Sequence, residues 1–243
     1  MSSNLVISDD RSDKLRDELR RRWDSNTKPL VPSDKEEALV APTFFVVGKG
    51  GGTGRSTLAL TLEFLMRQEA LIIEVGGNRC PAFRNRPLEL HRHFTSRDPD
   101  RIDRALDARF EAASRVAILE FEPALYRETI EIAANFRNAA SHSNLMVFYV
   151  AGRHEEQPAY RARAKERELH RVIFCRQAVQ LARRRDANFV FLPWLHQDIT
   201  HSMHAGCATL SQALDQCSGI WTQTEARGRL AGFMQAILAG EGQ

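Results

Sequence analysis

One segment constrains this chain more than any other: Gly48-Lys49-Gly50-Gly51-Gly52-Thr53-Gly54-Arg55-Ser56-Thr57, directly behind the apolar run Phe44-Phe45-Val46-Val47. A short apolar run stopped by glycines predicts a buried strand. The segment Ser56–Arg67 carries Leu58, Leu60, Leu62 and Leu65 and predicts a helix. Between the two, glycines let the main chain curl back and aim several amide N–H groups at one point. The positive end of the following helix adds to the attraction for an anion. The backbone of Gly50, Gly51, Gly52, Thr53 and Gly54 is therefore the candidate phosphate cradle. Arg55 supplies charge, and Ser56, with Thr57 beside it, is placed to offer a hydroxyl to Mg2+. A glycine turn without a ligand is the plain alternative. The glycine cluster, the basic residue, the Ser-Thr pair and the strand–helix setting together argue against it.

The rest of the chain extends this pattern. Leu71–Val75, Val116–Leu119, Leu145–Val150 and Phe189–Leu192 predict four further strands, the last stopped by Pro193. Arg101–Ser114, Tyr126–Ala140 and the long stretch Pro158–Arg185 predict helices, and the region from Leu210 is mostly helical. Strands alternating with helices imply an α/β domain of three layers, a mostly parallel sheet flanked by helices. A nucleotide would lie at the C-terminal ends of its strands. Residues 43–243 form this domain in the sequence reading, and residues 1–42 form a polar extension and linker. Within the extension, Ser12–Asp24 places Leu15, Leu19 and Trp23 at helical spacing, while Ser25–Pro42 contains three prolines.

Composition narrows the function classes. The chain has 243 residues, 43% of them hydrophobic, enough for a sizeable core without disulfides or metals. Cys80, Cys175, Cys207 and Cys217 form no CxxC pair, which fits a reducing cytoplasm. The polar start MSSNLVISDD is unlike a secretory signal, and no apolar run suits a membrane helix. The net charge of +3 identifies no partner by itself. The stretch 161–185 is strongly basic; it reads as a solvated face or as a surface for DNA phosphates. His201, His204 and Cys207 stand at helical spacing, but not at that of a standard zinc site. His91 and His93 fall in an Arg- and Pro-rich region that reads as a loop.

Gly51-Gly52-Thr53-Gly54-Arg55-Ser56-Thr57 resembles the GGTGKST core of the deviant-Walker ATPases, the ParA and MinD proteins and TraL-type conjugative plasmid proteins. Lys49 resembles the family's additional lysine, one residue early. The resemblance implies an ATP- and Mg2+-dependent P-loop NTPase fold that forms a homodimer. It implies that Lys49 contacts phosphate and that Ser56 binds Mg2+. Glu74 and Glu120, at the ends of the second and third predicted strands, would order Mg2+-bound or attacking water.

This chain departs from the pattern in three ways. Arg55 replaces the core lysine, and its planar fork does not reproduce a compact ammonium. Lys49 is displaced as if a glycine had been inserted. Glu74 and Glu120 replace aspartates, and Gly76 stands where a second acid is expected. No asparagine follows the fifth predicted strand to read adenine; Trp194 could stack on a base or simply pack. The expected function is a nucleotide-binding switch in plasmid partition, conjugative transfer or positioning, with weak hydrolysis. The alternative is a catalytically degenerate P-loop protein that binds nucleotide weakly or not at all and serves as an adaptor to a protein partner in a secretion or conjugation assembly.

Overall fold

The computed structural model of the protein describes residues 40–66, 70–77, 79–140, 144–152, 157–177, 189–205 and 208–240, with side chains through 237. Seven strands run in chain order: β1 (Thr43–Val47), β2 (Leu71–Val75), β3 (His91–Phe94), β4 (Ala117–Phe121), β5 (Leu145–Ala151), β6 (Val172–Gln177) and β7 (Val190–Leu192). The helices are α1 (Arg55–Leu65), α2 (Arg101–Glu111), α3 (Thr129–Ala139), α4 (Gln157–Glu166), α5 (Gln197–His204), α6 (Leu210–Gln216) and α7 (Ile220–Gly240). The sheet order is β3-β2-β4-β1-β5-β6-β7, and every pairing is parallel. The chain is thus a three-layer α/β protein.

Side-chain alternation divides the core. Phe44, Val46, Ile72, Ile118, Phe148 and Val150 face α1, α5, α6 and α7. Phe45, Val47, Ile73, Leu119, Val147 and Tyr149 face α2, α3 and α4. β1 lies between β4 and β5, and its residues are buried throughout. That double burial is why its sequence is a continuous apolar run rather than an alternating one. After β1 the chain turns to one face through α1; after β4 it turns to the other through α3. The carboxyl end of β1 therefore lies at a topological switch point, where open α/β sheets form a crevice.

Two expectations are corrected. The stretch 158–185 is not one helix: α4 ends at Glu166, and Val172–Gln177 is the strand β6. The break falls at Glu168, which takes φ 54 although it is not a glycine. Val172-Ile173-Phe174-Cys175 is an apolar run of strand type, masked in the sequence by the arginines on either side. The basic residues consequently do not share one helix face. Arg163 and Arg167 lie near Glu131 of α3, while Arg176 stands on β6 with its guanidinium 4.4 Å from the Phe189 ring. Second, His91 and His93 lie on β3, not in a loop. As an edge strand paired only with β2, β3 tolerates a polar sequence. The expected extension helix Ser12–Asp24 lies outside the described residues. No helix among the described residues is long and apolar enough to cross a membrane.

Arg109 anchors α2 to the start of β1. Its side chain is fully buried. Nε donates to Thr43 Oγ1 at 2.7 Å, Nη1 to the Ala112 carbonyl at 2.8 Å, and Nη2 to the Ala41 carbonyl. Burial pushes its pKa down to about 10, still charged at neutral pH. Removing it strips buried acceptors of a charged donor, at about 1–3 kcal/mol for each acceptor left unsatisfied. Arg109→Ala should lower unfolding stability by about 2–4 kcal/mol in urea titrations. Arg92→Ala, which removes an exposed pair with Glu111, should cost under about 1 kcal/mol.

Candidate functional site

The loop after β1 closes on itself before α1 begins. Thr53 is buried and its Oγ1 donates to the Gly50 carbonyl at 3.3 Å. Gly54 takes φ 95, a left-handed conformation that favours glycine, and becomes the residue before the helix. The helical ladder starts with the Leu58 N–H donating to the Gly54 carbonyl at 2.8 Å. The N–H groups of Arg55, Ser56 and Thr57 therefore have no acceptor within the helix. No side chain caps them and no acidic residue lies in the first turn. The result is a helix end with open donors and a positive dipole terminus, immediately behind a glycine loop.

Glu120, on β4, stands beneath this first turn. Ser56 Oγ donates to Glu120 Oε1 at 2.8 Å. The other oxygen, Oε2, is buried and has no hydrogen-bond partner among the described residues. Burial pushes the Glu120 carboxyl up to about 7, against the opposing pull of Ser56 and Arg55. A buried carboxylate with one unpartnered oxygen beside a serine hydroxyl is a donor set of hard oxygens, the type a small divalent cation takes. On that observation Ser56 and Glu120 fit Mg2+. Thr57 lies one residue further on, at the wall of the adjoining pocket.

Arg55 does not extend freely. Its Nη1 donates to the Phe121 carbonyl at 2.7 Å and to the Gly48 carbonyl at 3.3 Å, tying α1 to the end of β4 and to the loop's first residue. Nε and Nη2 have no partner among the described residues. Desolvation lowers its pKa, opposed by Glu120 and Glu122. A forked guanidinium can hold main-chain carbonyls with one nitrogen and still present others to an anion; a single ammonium has no such separated donors. Lys49 is exposed, with Nζ 5.9 Å from the centroid of the Tyr126 ring.

Glu74 is engaged elsewhere. Its Oε1 accepts from the Cys80 N–H at 2.7 Å, and its Oε2 bonds His91 Nε2 at 2.7 Å. These contacts fasten the segment after β2 and the edge strand β3. Glu74 pairs in register with Glu120 and lies on the same sheet face, but both of its oxygens have partners. Of the acids singled out in the sequence, Glu120 meets the loop's hydroxyl and Glu74 serves the sheet edge.

On the far side of Gly54 lies a pocket of about 400 Å3, lined by Thr57, Gln177, Leu192, Pro193, Trp194 and Gln197 among others. Gln177 Nε2 donates to the Gly52 carbonyl at 3.1 Å, linking β6 to the loop. A Cβ at Gly54 would sit 2.9 Å from Gln177 Nε2 and 3.0 Å from Leu192 Cδ1. Trp194 is half exposed, with the Arg229 guanidinium 4.5 Å from its ring. Sequence reasoning missed Gln177 because β6 itself was hidden. Cys207 lies outside the described residues, and no cluster of three metal-ligating side chains occurs among the described ones.

No protein-family model matches the chain, and no curated protein matches it significantly. Fold and site define an α/β protein with a glycine loop and an acid–hydroxyl pair at the sheet's switch point.

The Glu120 carboxyl gives a test of this geometry. With a folded pKa of about 7 against an ordinary value of 4.5, the folded state binds the proton more tightly than the unfolded chain. Stability should therefore fall as pH rises from about 4.5 through about 7. Glu120→Gln keeps an acceptor for Ser56 and removes the titration. It should be more stable than wild type at pH 8 by on the order of 2–3 kcal/mol, with the gap closing towards pH 5. Urea midpoints at both pH values measure this.

Proposed function

We propose that the protein is a nucleotide-binding switch whose glycine loop holds the phosphates of ATP. The observation that carries this reading is the conjunction of open N–H donors on Arg55–Thr57 with the unpartnered Glu120 oxygen beside Ser56. In this reading Gly50, Gly51, Gly52, Thr53 and Gly54 wrap the phosphates. Arg55 stays fixed to β4 by Nη1 and neutralises phosphate with Nε or Nη2. Ser56 and Glu120 hold Mg2+, which supplies charge neutralisation for the phosphates when bound. Lys49, near Tyr126, reaches phosphate from the loop's outer side. The pocket between Gly54 and Trp194 takes the base, with Gln177 and Gln197 offering both donors and acceptors to its edge.

The wider role in partition, conjugative transfer or positioning is carried by the loop's resemblance alone, as is the homodimer; DNA contact rests on the basic stretch 161–185 and a cytoplasmic setting on the cysteine pattern. Division of the basic stretch between α4 and β6 weakens the DNA reading. One observation favours the second reading, a degenerate P-loop protein that binds nucleotide weakly or not at all and serves as an adaptor: Glu74 has both oxygens occupied.

Binding of a fluorescent ATP analogue, with and without Mg2+, tests the first reading. Wild type should bind, more tightly with Mg2+. Gly54→Val should abolish binding, because its side chain would collide with Gln177 and Leu192 and force a strained φ, so the loop opens. Arg55→Ala should weaken binding by about tenfold or more, the loss of a charge-assisted hydrogen bond. Normal binding by Gly54→Val would overturn the loop assignment.

A further inference from the structure

The turn after β2 has no side chain at Gly76, and a neighbouring strand lays a carboxylate there. Gly76, just after β2, takes φ 84. Beside it, the Glu122 N–H donates to the Val75 carbonyl at 2.9 Å, so the residues after β4 continue the pairing with β2. That pairing lays the Glu122 side chain across the bare Cα of Gly76. A Cβ on Gly76 would lie 2.2 Å from Glu122 Cδ, 2.3 Å from Oε1 and 2.7 Å from Cγ. The carboxylate thus occupies the volume that a side chain at position 76 would fill.

Glu122 is held but not used up. Arg101 Nη2 approaches Oε1 at 3.3 Å, and the side chain is 12% exposed. Oε2 makes no hydrogen bond or ion pair among the described residues. Glu122 also acts electrostatically on Arg55, whose guanidinium is anchored on the adjacent Phe121 carbonyl. One carboxylate is therefore held over Gly76, one residue on from the carbonyl that anchors Arg55. Both oxygens of Glu74, by contrast, have partners.

We propose that Glu122 is the acid that orients the water attacking the terminal phosphate, reaching over Gly76 from β4. This rests on the nucleotide-binding reading above. In the step, a water O–H donates to Glu122 Oε2 and directs the oxygen lone pair at the γ-phosphorus. The new P–O bond forms as the bond from phosphorus to the β,γ-bridging oxygen breaks. ADP leaves with that bond's electron pair, and the water proton ends on the released phosphate. Because phosphoryl transfer depends mainly on positioning and electrostatics, orientation of the nucleophile is a sufficient task for such a group.

Glu122→Gln, Glu122→Asp and Glu122→Ala test the proposal alongside wild type. Glu122→Gln keeps the shape over Gly76 and an acceptor for Arg101. It should bind ATP within about twofold of wild type, while phosphate release falls about 100-fold, a change in kcat and not in KM. Aluminium fluoride should tighten ADP binding by wild type about tenfold or more and leave Glu122→Gln unchanged. Formate should restore part of the turnover of Glu122→Ala, and Glu122→Asp should retain more turnover than Glu122→Gln. Neither result is expected of a residue that only fills space. Absence of ATP binding by wild type would refute the nucleotide reading itself. Binding by wild type without turnover, or turnover by Glu122→Gln at the wild-type rate, would overturn the assignment of Glu122 alone.

Discussion

The site depends on β1 being buried on both faces in the middle of the sheet. A strand so placed has no lateral exit; the chain must leave over its carboxyl end and turn at once into the covering helix. The left-handed Gly54 makes that turn. The Ser56–Glu120 hydrogen bond then fixes the first turn of α1 on β4, and Arg55 adds a second tie to the Phe121 carbonyl. These two contacts set the open amides of the helix end at a fixed height above the sheet. Preorganisation of that kind lets main-chain dipoles act on an anion without being rearranged first.

Charge is distributed unevenly around this frame. Glu120 is buried and biased towards its neutral form, whereas Arg55 is partly desolvated but supported by Glu120 and Glu122. A dication placed between Ser56 and Glu120 would stabilise the ionised carboxylate and satisfy the oxygen left unpartnered by the fold. The cost of burying that unpartnered oxygen is thus what a cation bound there would offset. Acids outside it have separate duties: Glu74 secures the β2–β3 edge through Cys80 and His91, and Glu122 lies across Gly76.

Much of this was legible in the chain. β1, β2, β4, β5 and β7 announce themselves as apolar runs because each is buried on at least one strongly apolar face. The loop was legible because five glycines in so short a span have few other structural uses. β3 was not, since an edge strand can carry His-Arg-His and still pair. β6 was hidden because its preceding break is made by Glu168 in a glycine-like conformation, and arginines flank the apolar run. Glu120 could be picked from its position at a strand end. Glu122 could not, because its place depends on the main-chain pairing with Val75 and on the missing side chain at Gly76. Gln177 was lost together with its strand.

Whether the loop's amides receive phosphate is the question on which the account turns, and backbone amide NMR answers it residue by residue. Titration of isotopically labelled protein with ADP and Mg2+ should shift the N–H resonances of Gly54, Arg55, Ser56 and Thr57 strongly and together, with saturation at one affinity. Unchanged resonances across the loop while ADP binds elsewhere, or no response anywhere in the spectrum, would contradict it.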